Sequence, residues 1–306
     1  MRWASYDSDG HPRVALVDGG SLRAAPGVER LVDLLGDDGQ KLADAADRAT
    51  RDPLEVVPIA DVRLRAPVPA PPSIRDFMAF EEHVRNCRGA TGVDPVWYEQ
   101  PIFYFTNPAA VHAPGEDVAV SPGSVAFDYE LEVGAVVGRG GRDLRPNDAE
   151  AHIAGYLVLI DWSARDLQRR EMTARLGPAK GKDSATTLGP FLVTPDELEP
   201  RRSGNGYDLA MTATVNGRQY TDGNWKTIHW SFGELLAYAS RGTQLVPGDV
   251  LGSGTVGRGC ILELSTLHGA ERYPWLAPGD EFHAQVELLG EVSARIVAGA
   301  DPIPLR

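Results

Sequence analysis

Short apolar runs closed by glycine or proline fill the chain from about residue 70 onward, and they constrain its fold more than any other feature. Val133–Gly138, Tyr156–Ile160, Leu188–Val193, Leu209–Val215, Val250–Gly254, Ile261–Leu264 and Phe282–Leu288 have the length and composition of strands. With 33 glycines and 23 prolines in 306 residues, turns are frequent enough to separate that many strands. Val246-Pro247-Gly248-Asp249 and Ala277-Pro278-Gly279-Asp280 are matching turns, each leading into a strand. Few helical patterns intervene: Ile74–Arg88, Ala149–Ile153, Ala164–Arg175 and Phe232–Ser240. A strand-rich α+β core fits this pattern better than a doubly wound sheet. Gly138-Arg139-Gly140-Gly141 lacks the spacing and the following apolar helix of a dinucleotide loop, which excludes that class.

Residues 1–66 read as a small N-terminal α/β module, with a strand at Val14–Val17 and short helices at Leu31–Leu35 and Lys41–Ala49. Pro67-Val68-Pro69-Ala70-Pro71-Pro72 forms a stiff connector to a domain spanning residues 67–306. A net charge of −13 argues against nucleic-acid or anionic-membrane partners, which require a basic face. Two cysteines, Cys87 and Cys260, are too few for a disulfide framework; they read as small apolar fillers in a reduced, cytoplasmic setting. The segment Met1–Asp7 has no apolar leader core, and no apolar run is long enough to cross a bilayer.

One strand pattern carries chemistry. In Phe127-Asp128-Tyr129-Glu130-Leu131-Glu132-Val133, alternate residues share a face, so Asp128, Glu130 and Glu132 point together and the apolar residues point away. Repulsion among the three requires water or a cation. A solvated face is the simpler reading of this segment by itself; a metal site needs a further carboxylate. Asp161 qualifies, standing where the buried run Tyr156–Ile160 ends, although it or Ser163 can equally cap the helix that follows. Asp76 and His83 lie seven residues apart, on one face of the expected Ile74–Arg88 helix. A histidine beside acidic residues is oriented and made more basic, as a general base requires.

Together these segments resemble the fumarylacetoacetate hydrolase family. The resemblance is carried by Asp76…His83, Tyr104, the Phe127–Glu132 strand, Asp161-Trp-Ser-Ala-Arg-Asp-Leu-Gln168 and Lys182 with Gly189-Pro190-Phe191. It continues through Gly248-Asp-Val-Leu-Gly-Ser-Gly-Thr255, Ile261-Leu-Glu263-Leu and Trp275–Asp280. It runs from about residue 70 to near the C-terminus and implies a mixed β-sandwich or β-roll catalytic core. It further implies that Glu130, Glu132 and Asp161, with Asp76 as a fourth carboxylate, hold Mg²⁺, or else Mn²⁺ or Ca²⁺. His83 falls on the family's general base and Glu263 on the acid that orients it. Gln168 and Lys182 match carbonyl-polarising positions, with Lys180 the alternative to Lys182; Tyr104 and Thr255 match substrate contacts.

The implied reaction is hydrolysis of a carbon–carbon bond in a 1,3-dicarbonyl or acylpyruvate-type 2-oxo acid, by water activated at His83. Decarboxylation, tautomerisation or other isomerisation, and hydration or dehydration on the same platform are the alternatives. The family also implies a homodimer. Asp128 is expected behind the ligands, Arg165 and Asp166 as local helix support, and the loop Gly89–Gln100 as a lid.

Overall fold

The computed structural model describes residues 1–304 of the chain. Its architecture is α+β and strand-rich, built around one large mixed sheet. Strands β1 (Arg2–Ser8), β2 (His11–Asp18), β3 (Ser21–Ala24) and β4 (Val56–Pro58) form one end. The central strands are β5 (Ile74–Phe77), β6 (Phe103–Thr106), β7 (Phe127–Val137), β8 (Ile153–Ala164) and β9 (Thr186–Val193). Strands β10 (Ala210–Val215), β11 (Arg218–Asn224), β12 (Val250–Gly252), β13 (Glu281–Val286) and β14 (Gly290–Val297) complete the main set. The large sheet runs β4-β3-β2-β1-β9-β8-β7-β12-β5-β6. Strands β11-β10-β13-β14 form a second sheet with the short strand Val118–Ala119.

The two sheets meet through the apolar face of β7. Phe127, Tyr129, Leu131 and Val133 enter a common core with Met211, Ala213, Phe282 and Ala284. Phe127 stacks on Trp162, whose other side meets Phe282. The longer helices are α1 (Gln40–Arg51), α2 (Glu81–Arg88), α3 (Arg165–Met172), α4 (Phe232–Ala239) and α5 (Ile261–His268), and alternation sends the opposite face of β7, with its three carboxylates, toward α2 and α5. All eleven residues of β7 are buried, so the solvated-face reading of this strand is wrong.

The sheet continues across the proline connector into the first 66 residues. Strand β1 pairs antiparallel with β9, and Trp3, Val14 and Leu42 share a core with Val136, Leu157, Leu159 and Val250. Both Pro-Gly-Asp turns close alike: the Asp249 carboxylate accepts from the Val246 amide, and Asp280 accepts from the Ala277 amide. Among the described residues, no helix is long and apolar enough to cross a membrane.

Three local readings need correction. The expected Ile74–Arg88 helix is strand β5 followed by α2, because Ile74–Phe77 is fully buried and pairs with β12 and β6. A short apolar run does not distinguish strand from helix by periodicity. Ile261–Leu264 is the first turn of α5, not a strand. Asp161 lies within β8 rather than at its end, since pairing with β7 continues to Ala164.

Candidate functional site

Strand register brings the acidic residues level with one another. Glu130 on β7 stands opposite Asp161 on β8. On the other side β7 pairs with β12, and β12 runs parallel to β5 with Gly252 beside Asp76. Tyr104 on β6 is the cross-strand partner of Asp76. Asp76, Glu130, Glu132 and Asp161 are all buried.

Asp76, Glu132 and Asp161 each offer a carboxylate oxygen within 4.8 Å of the others'. Asp76 Oδ1, Glu132 Oε1 and Asp161 Oδ1 are buried without a hydrogen-bond partner among the described residues. One such orphaned group costs roughly 1–3 kcal/mol, more when charged. Burial pushes all three carboxyls above the ordinary range, Glu132 and Asp161 furthest, and the charge of Glu130 adds to this at each; at Asp76 a hydrogen bond with Glu132 and then Lys182 oppose it, and at Asp161 Lys182 does. A Cβ at Gly252 would stand 2.6 Å from Asp76 Oδ1 and 2.9 Å from Glu132 Oε2, so any side chain there would invade the space between them. Orphaned oxygens around a space kept clear by glycine fit a hard divalent cation, which takes oxygen ligands.

Glu130 is differently placed. Arg165 Nη2 lies 2.8 Å from its Oε1, and Lys182 Nζ donates to its Oε2. Burial opposes the charge of Glu130, but Arg165 and then Lys182 outweigh it and hold this carboxyl well below its usual range. Lys182 also donates to Asp161 Oδ2 at 2.5 Å and Ser163 Oγ at 2.7 Å, which engages all three of its protons. Lys180, by contrast, is exposed and pairs with Asp183. The Tyr104 hydroxyl lies 2.6 Å from Asp161 Oδ2 and 3.1 Å from Asp76 Oδ2, bracing the carboxylates.

Helices α2 and α5 supply the second half of the site. His83 Nδ1 is 2.8 Å from Glu263 Oε2, while Nε2 faces Glu130 Oε1 at 3.9 Å. The other oxygen of Glu263 accepts from Asn86 Nδ2 and the Arg258 amide, which fixes the carboxylate. Burial disfavours the imidazolium, yet Glu263 outweighs it and raises His83 well above its ordinary pKa. The Thr255 hydroxyl is buried without a partner among the described residues. Gln168 Oε1 accepts from Arg165 Nη1 at 3.3 Å, leaving its amide protons for another partner.

Arg165 is not local helix support: it is buried and joins Asp128 to Glu130. Asp166 turns away to accept from Ser124 and the Val125 amide. Asp128 accepts from Arg165 Nε at 2.8 Å and from the Ile261 and Leu262 amides at 2.7 and 3.0 Å. It therefore caps α5 and aims Glu263 at His83. Asp128→Ala strips this cap and leaves the Arg165 charge partly unpaired. It is expected to destabilise the fold by about 3–5 kcal/mol; urea unfolding measures this, and an unchanged midpoint would contradict the capping role.

Sequence reasoning missed Arg165, Ser163 and Asn86, whose roles depend on partners far away in the chain. It also missed that Cys87 and Cys260, read as fillers, both border His83.

The family model for the fumarylacetoacetate (FAA) hydrolase C-terminal domain matches residues 73–297. The chain is 30% identical over 283 residues to a fumarylacetoacetase from Oryza sativa subsp. japonica, covering 74% of this chain and 66% of that one. It is 29% identical over 261 residues to a mitochondrial oxaloacetate tautomerase from Homo sapiens, covering 85% and 77%. It thus spans 66% of the Oryza sativa fumarylacetoacetase and 57% of the Arabidopsis thaliana one. A solved chain from Mycobacterium smegmatis, described as a candidate HpcE protein, superposes with a TM-score of 0.77. It is 27% identical and covers 98% of this chain and 100% of its own.

Proposed function

The chain belongs to the fumarylacetoacetate hydrolase family, and on that premise we propose that it is a divalent-metal-dependent hydrolase of carbon–carbon bonds. Its substrate in this reading is a 1,3-dicarbonyl or acylpyruvate-type 2-oxo acid. The observation that carries it is the trio of orphaned oxygens on Asp76, Glu132 and Asp161, with the His83–Glu263 pair a short distance away across Glu130.

Asp76, Glu132 and Asp161 hold the cation, with Mg²⁺ the first choice; Glu130 is the fourth ligand if Lys182 releases it. A divalent cation there supplies Lewis acidity and a template for two substrate oxygens. Glu263 orients the His83 ring through Nδ1, so that Nε2 is the atom that takes a proton from water. The free amide protons of Gln168, and the ammonium of Lys182 once it has released Glu130, face charge developing on the attacked carbonyl. One such preorganised donor is typically worth about 3–4 kcal/mol. Thr255 Oγ is available to a substrate oxygen, and Tyr104 holds Asp161 and Asp76 in place. In this reading the segment Gly89–Gln100, which follows α2, serves as the lid over the bound acid.

A second reading, tautomerisation or another isomerisation, draws support from the likeness to the human oxaloacetate tautomerase, which covers more of this chain than the rice fumarylacetoacetase does. Decarboxylation and hydration use the same platform. The protein with Mg²⁺ is incubated with a panel of acylpyruvates and oxaloacetate, and products are identified by mass. Two carboxylate fragments are expected. An unchanged mass with an altered ultraviolet spectrum indicates tautomerisation, and loss of CO₂ indicates a lyase; either outcome displaces hydrolysis. The same reading includes a homodimer in the cytoplasm, in keeping with the free thiols of Cys87 and Cys260. Light scattering at twice the chain mass is expected, and the monomer mass would contradict it.

A further inference from the structure

A second group of ligand-type side chains stands against His83, and the proposed reaction leaves it unused. Cys87 follows His83 by one turn of α2, and Cys260 immediately precedes α5. Ligand atoms of His83, Cys87 and Cys260 all lie within 4.8 Å of one another. Cys87 Sγ is 3.8 Å from both ring nitrogens of His83. Glu263 Oε2 borders two of the three, 2.8 Å from His83 Nδ1 and 3.3 Å from Cys260 Sγ.

The 3.8 Å Cys87–His83 and 3.3 Å Cys260–Glu263 separations are those of the edges of a small coordination tetrahedron, and the 2.8 Å His83–Glu263 contact opens when an ion joins them. With metal–sulfur bonds of about 2.3 Å and metal–nitrogen bonds of about 2.0–2.1 Å, neighbouring ligand atoms stand roughly 3.3–3.8 Å apart. Cys87 Sγ is equidistant from the two nitrogens, and sharing an ion with Nδ1 requires its side chain to turn toward that atom. The donor set of two sulfurs, one imidazole and one carboxylate is soft, opposite in character to the all-oxygen set of Asp76, Glu132 and Asp161. Cys87 is partly exposed and gives an ion a way in, whereas Cys260 is buried.

We propose that His83, Cys87, Cys260 and Glu263 form a binding site for a soft divalent cation of the zinc type. Binding releases the two thiol protons to solvent, while the proton that His83 Nδ1 shares with Glu263 passes to Nε2, so the ring stays neutral. With a neutral imidazole, two thiolates and one carboxylate, the filled site carries one net negative charge. An ion held there removes the His83–Glu263 pair from catalysis. That consequence rests on the reading of His83 as proton acceptor; the binding does not.

The test uses the reduced 306-residue chain with Mg²⁺ in excess, titrated with Cd²⁺ and followed by the ultraviolet thiolate-to-cadmium charge-transfer band. The band is expected to saturate at one Cd²⁺ per chain and to be reversed by Zn²⁺. Cys87→Ser, on the partly exposed end of α2, is expected to shrink the band and weaken Cd²⁺ by at least about tenfold. Glu132→Gln is expected to leave the band intact. No saturating band would overturn the site. So would an unchanged band in Cys87→Ser, or a Cys87–Cys260 disulfide forming in air while the reduced chain takes up no Cd²⁺. In turnover assays Zn²⁺ is expected to inhibit the wild type at lower concentration than Cys87→Ser. Full turnover with Cd²⁺ bound would sink the proton-acceptor role of His83 and leave the site standing.

Discussion

Glu132→Gln is expected to abolish divalent-cation binding while making the metal-free protein more stable. Glu132 is buried between Asp76 and Asp161, with Oε1 free of any partner among the described residues and Oε2 accepting from the Gly254 amide at 2.8 Å. Glutamine preserves the volume and an acceptor for Gly254, and it removes one of three repelling charges. The lost ligand weakens Mg²⁺ by at least about a hundredfold, since even groups that only orient a ligand are worth 10–100-fold. Calorimetry should show no binding heat, and turnover should fall with it. In the wild type, Mg²⁺ at a hundred times its Kd adds about 2.7 kcal/mol of stability; the variant should gain none.

The pH dependence has a definite sign. Burial, with Asp76, Glu130 and Asp161 as neighbours, raises the Glu132 carboxyl well above its ordinary value. A carboxyl so raised contributes stability below its unfolded pKa of about 4.3 and loses it as pH rises through the folded value. The stability advantage of metal-free Glu132→Gln should therefore grow as pH rises from about 4.3 toward neutrality. Saturating Mg²⁺ should reverse the order of the two proteins. Unchanged Mg²⁺ affinity in the variant would remove Glu132 from the ligand set.

His83→Gln is expected to cut kcat by about 10²–10⁴, the usual worth of a positioned general base, while Mg²⁺ affinity changes only a few-fold. The glutamine amide can still donate to Glu263, so the buried carboxylate keeps a partner and the fold survives. The loss should fall on kcat rather than KM, because the proposed reaction gives His83 the proton of the attacking water and gives the carboxylate trio the cation. Glu263→Gln, which keeps the shape but loses the charge that orients the ring, should lower kcat in the same way. Normal turnover in His83→Gln would end the general-base role. A parallel loss of Mg²⁺ affinity would make His83 part of the cation site instead.

The alternation in Phe127–Val133 was readable because a strand has period two and nothing else arranges acids and apolar residues that way. Its burial on both faces was not readable, because the cover comes from α2 and α5, held by contacts remote in sequence. Ile261–Leu264 looked like a strand for the same reason: Cys260 provides no side-chain cap, and Asp128, 133 residues earlier, accepts from the first helical amide instead. Asp76 stands on a strand and His83 on the helix after it, rather than on one helix face. Arg165 carried no local sign of its role, since its partners Asp128 and Glu130 sit on the neighbouring strand. Lys182 could be separated from Lys180 only once burial and partners were known.

If the Asp76, Glu132 and Asp161 carboxylates hold one hard cation in front of the His83–Glu263 pair, a crystal grown with Mn²⁺ and oxalate and measured at the manganese absorption edge should reveal it. One anomalous peak is expected, bonded to oxygens of Asp76, Glu132 and Asp161, with oxalate on its open side and His83 Nε2 facing the oxalate. A peak away from these three carboxylates, or none at saturating Mn²⁺, would contradict that assignment.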